Sequence, residues 1–219
     1  MQKNKFDTNH LNYIEVKPNT NSDIVLIGLH GLGDSATGFS FLANELGDNF
    51  HYFFPFAPLD YFNVGYAWYM MNKGLDGQSE DIKKSQEIFD KFLKHIIKVH
   101  KLENKKIFLL GFSQGAVMTL IYSLKNPNYF SGAIPLSGYL FQKEKLIISD
   151  DAKKLEYLIV HGKQDDIVSL DNYFAGNKIN EFLKDKVKNV SYNEFDMAHE
   201  INHDVIELMK KWINKISNS

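Results

Sequence analysis

Neither cysteine nor arginine occurs in the 219 residues. Without cysteine there can be no disulfide, no thiolate ligand for zinc and no thiol nucleophile. All 25 basic residues are therefore lysine, and the formal net charge is −2. With no guanidinium fork to grip phosphates or base edges, nucleic acid is excluded as an expected partner. Long apolar runs are missing as well: none approaches the length of a membrane span, and Met1 to His10 has no apolar stretch of the kind an export signal carries. The expectation is a cytosolic protein whose contact with a membrane is at most peripheral. What remains is the composition of a globular chain, 44% hydrophobic and 24% charged, long enough to bury one core as a single domain over 1–219.

Apolar runs of strand length occur at Ile24 to Leu29, Tyr52 to Phe56, Ile107 to Leu110, Gly132 to Leu136 and Tyr157 to Val160, and Val190 to Phe195 reads as a last strand. Continuous rather than alternating runs suit strands buried on both faces. Tyr13 to Val16 reads as an antiparallel edge strand. Helical patterns lie between the runs, the clearest over 79–99, with others at 114–124, 170–184 and in the final stretch, where Ile201, Val205, Leu208, Met209, Trp212 and Ile216 form an apolar stripe. This alternation predicts an α/β fold: a mostly parallel central sheet with helices on both faces, and chemistry at the carboxyl ends of the strands.

At one such end stands Gly111-Phe112-Ser113-Gln114-Gly115, a G-x-S-x-G preceded by an apolar strand and followed by a helix-forming run. In that context the serine is a candidate nucleophile on a sharp strand-to-helix turn. Its hydroxyl needs a base, and the base an acid to hold its tautomer. Asp165 and Asp166 follow the strand ending at Val160, and either can be the acid. His199 follows the last strand and is the candidate base. After the first buried strand comes His30-Gly-Leu-Gly-Asp-Ser35. Its glycines permit a tight turn that aims the backbone N–H of Leu32 at a developing oxyanion, alongside that of Gln114.

His199-Glu-Ile-Asn-His203 also fits H-E-x-x-H, the pattern of a zinc protease helix. On a helix, both histidines would lie opposite the apolar stripe and face solvent, and the chain ends too soon for the usual third ligand. His203 is read as a solvated helix residue, and no metal or cofactor is expected.

"LHGLGDS", "FPFAP", a tryptophan in the following loop, "GFSQGA", "HGKQDDIV" and "MAHE" occur in this order over roughly residues 24 to 216. Together they resemble the bacterial carboxylesterase and acyl-protein thioesterase, or lysophospholipase-like, family of α/β-hydrolases. The resemblance implies a cofactor-free triad of Ser113, Asp165 and His199. Asp165 is preferred to Asp166 because the family's acid lies four residues after the histidine of "HG", here His161. It also implies hydrolysis of carboxylic esters or thioesters through an acyl-enzyme. Competing readings are a zinc hydrolase using His199 and His203, and an inactive hydrolase fold serving as a lipid-binding module.

Two departures from the family pattern stand out. Asp196 precedes Met197 where the family carries glycine, which predicts an altered loop or added negative charge near the base. The segment around 60–77 reads "YAWYMM" at its centre, with Trp68-Tyr69-Met70 where the family usually carries Trp-aromatic-Asp. It is expected to be an irregular flap whose Trp68, Tyr69 and Met70 wall an acyl pocket or touch a bilayer. Aromatic surface of this kind also suits a homodimer contact.

Overall fold

The computed structural model describes residues 11–71, 79–171 and 174–218. Seven strands form the main sheet, in the order β1 (Tyr13–Val16), β3 (His51–Pro55), β2 (Ile24–Leu29), β6 (Lys106–Phe112), β7 (Gly132–Leu136), β8 (Glu156–Gly162) and β9 (Asn189–Phe195). All neighbours run parallel except β1, which pairs antiparallel with the edge of β3. The strand order reverses between β2 and β6, and ligands of open α/β sheets bind beyond the carboxyl ends at such a point.

Both faces of the sheet are covered, which is why its strands read as unbroken apolar runs. Val25, Ile27, Leu109 and Phe53 point to one side, packing with Phe89 and Phe92 of α3 (Ser79–His100), Val117 of α4 (Gln114–Lys125) and Ile179 of α5 (Asn177–Leu183). Leu26, Phe54, Phe108 and Leu110 point to the other. There they meet Phe39 of α1 (Ala36–Phe39), Leu42 of α2 (Phe41–Leu46) and Met209 and Trp212 of α6 (His203–Ser217).

Three features differ from the sequence expectation. The short helices α1 and α2 were not foreseen, because four and six residues are too few to show a period. Among the described residues the helix expected over 170–184 is α5 alone, which starts at Asn177 after Gly176 at φ 53°. The third is the segment expected as an irregular flap. Its described part begins with a hairpin, β4 (Leu59–Tyr61) paired to β5 (Gly65–Ala67). The turn is closed by Val64 N–H donating to Tyr61 O at 2.9 Å, with Phe62 and Asn63 both at positive φ. That is the turn geometry whose twist matches paired strands, here built without glycine. Residues 72–77 of the expected flap, and Met1 to His10, lie outside the described residues.

Candidate active site

Strand β6 ends and α4 begins at Ser113, whose backbone is held at φ 54°, ψ −114°. Its N–H donates to Leu136 O at 2.9 Å on the neighbouring strand, and its hydroxyl makes no capping bond to the helix. The flanking glycines are steric requirements. A Cβ on Gly111 would lie 2.2 Å from Gly115 O, and one on Gly115 only 2.1 Å from Leu29 O. No side chain fits at either place, so the elbow closes only with glycine on both sides of the serine.

The loop after β8 brings Asp165 to the same edge. Its carboxylate is fully buried. Oδ1 accepts backbone N–H bonds from Ile167 at 3.0 Å and Val168 at 2.7 Å, while Oδ2 accepts from His199 Nδ1 at 2.7 Å. Two main-chain bonds tie this loop to the one carrying the histidine: Lys163 N–H to Phe195 O at 2.8 Å and Gln164 N–H to Met197 O at 3.1 Å. The Phe112 ring packs on the His199 imidazole with centroids 4.7 Å apart. Asp166 is exposed and takes no such position. Asp196, expected to perturb the base, is exposed and paired with Lys163 Nζ at 3.0 Å, which holds its carboxyl below the usual range.

A second histidine stands behind the acid. His161 is buried in β8, donates through Nε2 to Val168 O at 2.7 Å, and lies 3.4 Å from Asp165 Oδ2. Burial pulls its pKa below the ordinary imidazole value, against the pull of Asp165. His30, at the start of the glycine turn, is likewise buried and lowered by desolvation. Its Nε2 accepts from Ala57 N–H at 3.0 Å, so the proton sits on Nδ1, which donates to Gly31 O at 2.7 Å. A neutral imidazole thereby braces the loop that carries Leu32.

Gly31, Leu32, Ser113, Gln114 and His199 face one cavity of about 280 Å³, walled otherwise by Asp34 and by largely apolar groups that include Met71, Tyr139 and Val168. The structure thus gathers the expected nucleophile, base and both oxyanion-loop residues around one space, with Asp165 behind the base. The expected pocket wall needs correction. Trp68 and Tyr69 are fully buried core residues, and neither they nor Met70 line the cavity. The physical reason is the Gln114 side chain, whose Oε1 accepts from Trp68 N–H and whose Nε2 donates to Tyr69 O, both at 2.7 Å. Trp68 Nε1 donates to His30 O at 3.0 Å, and Tyr69 shares a 2.9 Å hydroxyl bond with Tyr139. Met71 and Tyr139 are among the wall residues that sequence reasoning missed, with Asp34, Phe112 and Ile167, and no local motif marks either of the first two.

The H-E-x-x-H stretch does not form one helix. Residues 199–202 precede α6, Asn202 caps it by accepting from Val205 N–H at 3.0 Å, and Ile201 of the expected stripe also lies outside it. His199 has turned inward to Asp165 while His203 is exposed.

A serine on a strained strand-to-helix turn and an Asp–His pair at the same edge of a mostly parallel sheet define a serine hydrolase of the α/β-hydrolase fold. Residues 11–217 match the phospholipase/carboxylesterase family, and the chain belongs to it. The acyl-protein thioesterase 1 homolog 1 of Dictyostelium discoideum is 30% identical over 218 residues, covering 93% of this chain and 94% of its own. Acyl-protein thioesterase 1 of Emericella nidulans is 27% identical, covering 87% and 89%. The solved carboxylesterase of Bacillus cereus shares the fold, with a TM-score of 0.80 at 20% identity over 94% of each chain. Among the described residues no helix is long and apolar enough to cross a membrane.

Proposed function

We propose that Ser113, His199 and Asp165 form the triad with which this hydrolase cleaves acyl esters and thioesters through an acyl-enzyme. Ser113 Oγ attacks the carbonyl carbon as its proton passes to His199 Nε2, the ring nitrogen left over from the bond to Asp165. Negative charge gathering on the carbonyl oxygen is taken up by the N–H groups of Leu32 and Gln114. The tetrahedral adduct expels an alcohol or thiol, protonated by His199. Water, deprotonated in turn by His199, then attacks the acyl-serine and releases the carboxylic acid. The observation that carries this reading is the 2.7 Å bond from His199 to a buried carboxylate beside an uncapped, strained serine. Thioester substrates are supported by the relatives named acyl-protein thioesterases.

The largely apolar cavity of about 280 Å³ has the character of a small-ligand site and offers room for an acyl group beside Ser113. Phe62 and Val64, at the hairpin tip, are 70% and 78% exposed, and Ile167 at the cavity is 62% exposed. The hairpin is bonded to the glycine loop through Gly33 N–H to Tyr66 O at 2.9 Å. These apolar groups support peripheral contact with a bilayer that presents acylated substrates.

Hydrolysis of p-nitrophenyl esters from acetyl to palmitoyl tests the reading, with wild type and Ser113→Ala, with and without a chelator. Turnover that needs Ser113 and ignores the chelator is the expected result. Turnover that survives the Ser113 change overturns the triad, and the chain-length optimum reports how the cavity is filled.

A further inference from the structure

A second group of donors converges at the opposite end of the sheet. Glu15 in β1 lies across from Phe53 of β3. His51, two residues before Phe53, is therefore on the same face, because side chains alternate along a strand. His100 is the last residue of α3, which covers that face; Lys101 follows at φ 54°, and Leu102 N–H returns to Ile97 O at 2.9 Å. This helix-ending bond fixes where His100 stands. The separation from Ser113 is roughly 20 Å, six residues at about 3.3 Å each along the strands.

Glu15 Oε1 is 2.8 Å from His51 Nε2 and 3.4 Å from His100 Nδ1, and all three donor atoms lie within 4.8 Å of one another. Ligands of a tetrahedral zinc ion, each about 2.0–2.1 Å from the metal, are about 3.3 Å apart. The Glu15–His100 pair already has that spacing, and the hydrogen-bonded Glu15–His51 pair needs to open by only about 0.5 Å to reach it. The side chains are 22%, 16% and 17% exposed, sheltered from bulk water yet reachable by an ion. The far nitrogen of His100 is held as well: Tyr13 Oη lies 3.1 Å from Nε2. In metal sites a partner on the non-ligating nitrogen fixes the tautomer and turns the other lone pair toward the ion. Tyr13 is itself wedged between the Phe53 and Phe92 rings, at 5.8 and 5.5 Å. As a hydrogen-bonded cluster, both imidazoles compete for one carboxylate oxygen, which Lys17 also reaches at 3.9 Å. A cation among the three satisfies all of them at once.

We propose that Glu15, His51 and His100 form a binding site for a divalent d-block cation, Zn²⁺ by its donor set, with a fourth position open to water. Two imidazoles and one carboxylate are a borderline set that favours zinc over magnesium or calcium. The ion would clamp β1, the antiparallel edge strand, onto the end of α3.

Chelator-treated wild-type protein, titrated with zinc chloride against a chromophoric chelator, should take up one equivalent. His51→Gln and His100→Gln keep a hydrogen-bonding group near Glu15 but remove the imidazole, and each should weaken uptake by at least about tenfold. His203→Gln should leave it unchanged. At a hundredfold excess over Kd, zinc should raise the wild-type Tm by about 5–10 °C and leave that of His100→Gln in place. Uptake by wild type no greater than that of a protein carrying both His51→Gln and His100→Gln overturns the site. As a check independent of variants, an anomalous diffraction peak at the zinc edge should fall among these three residues, and a peak only elsewhere overturns the assignment.

Discussion

Asp165 holds His199 with one carboxylate oxygen and is itself held by two backbone amides at the other, so the direction of the imidazole is set by main chain. The carboxylate accepts from Nδ1–H and thereby leaves Nε2 as the basic nitrogen. An amide in its place can present NH₂ to Nδ1 and shift the proton to Nε2. Asp165→Asn should therefore lower kcat by about 10⁴ with little change in KM. Steady-state kinetics on a p-nitrophenyl ester checks this; a loss below tenfold would point to another acid.

Ser113 is kept at a positive φ that a side chain resists, at a cost of about 1–3 kcal/mol. Ser113→Gly should raise stability by about 1 kcal/mol, read as a higher urea midpoint at unchanged m-value, while kcat falls by about 10⁶. Ser113→Ala, which keeps the Cβ, should match wild type in stability within about 0.5 kcal/mol. Equal stability of the glycine and alanine variants would show that the turn carries no strain.

Gln114 has two duties that substitution can separate. Its backbone N–H is assigned to the oxyanion, whereas its side chain holds the Trp68–Tyr69 backbone. Gln114→Leu leaves one buried N–H and one buried carbonyl without partners, at about 1–3 kcal/mol each. Unfolding free energy should drop by about 2–5 kcal/mol. A value under 1 kcal/mol would mean that this bridge does not hold the segment.

The two buried histidines predict an acid-sensitive fold. Burial lowers the pKa values of His30 and His161 in the native state. As pH falls below about 6.5, the unfolded chain takes up protons that the native state resists, so stability declines with acid. Each group contributes up to about 1.4 kcal/mol per pH unit until pH reaches its native pKa. His161→Gln should flatten the fall in Tm between about pH 6.5 and 5 relative to wild type; an unchanged slope would assign the acid sensitivity elsewhere.

Asp196 replaces a glycine of the family pattern, yet its charge is spent on Lys163 at the surface. Asp196→Gly should change kcat/KM by less than about twofold, since exposed pairs contribute only about 0–1 kcal/mol. A larger gain in rate would show that this carboxylate does reach the base.

The sheet was legible because each central strand is buried on both faces and so spells an uninterrupted apolar word. The hairpin at Leu59–Ala67 was not, since Phe62 and Asn63 supply positive φ where a reader looks for glycine. Ser113 and His199 could be picked out as candidates because each follows a strand within a recognisable local pattern, whereas position alone left Asp165 and Asp166 open and only the family resemblance favoured Asp165. The cavity wall could not: Met71 follows a segment held by a side chain of α4, and Tyr139 lies in a loop after β7 bridged to Ala175, contacts that no local pattern announces. Trp68 and Tyr69 misled because aromatic residues in a loop look like a pocket wall until their backbone partners are known. Glu15, His51 and His100 are 36 and 49 residues apart along the chain, so no spacing rule joins them; only the β1–β3 register and the end of α3 do.

Gly115 sits so close to Leu29 O and His30 O that the helix behind the nucleophile and the loop assigned to the oxyanion rest on one another's main chain. Nucleophile and oxyanion donor thus share a single datum. A shift of β2 against α4 that kept this contact would carry both together. Engineering that reshapes the acyl wall at Met71 or Tyr139 can therefore be attempted with little loss of alignment, whereas any atom added at Gly115 should misalign attack and charge capture together.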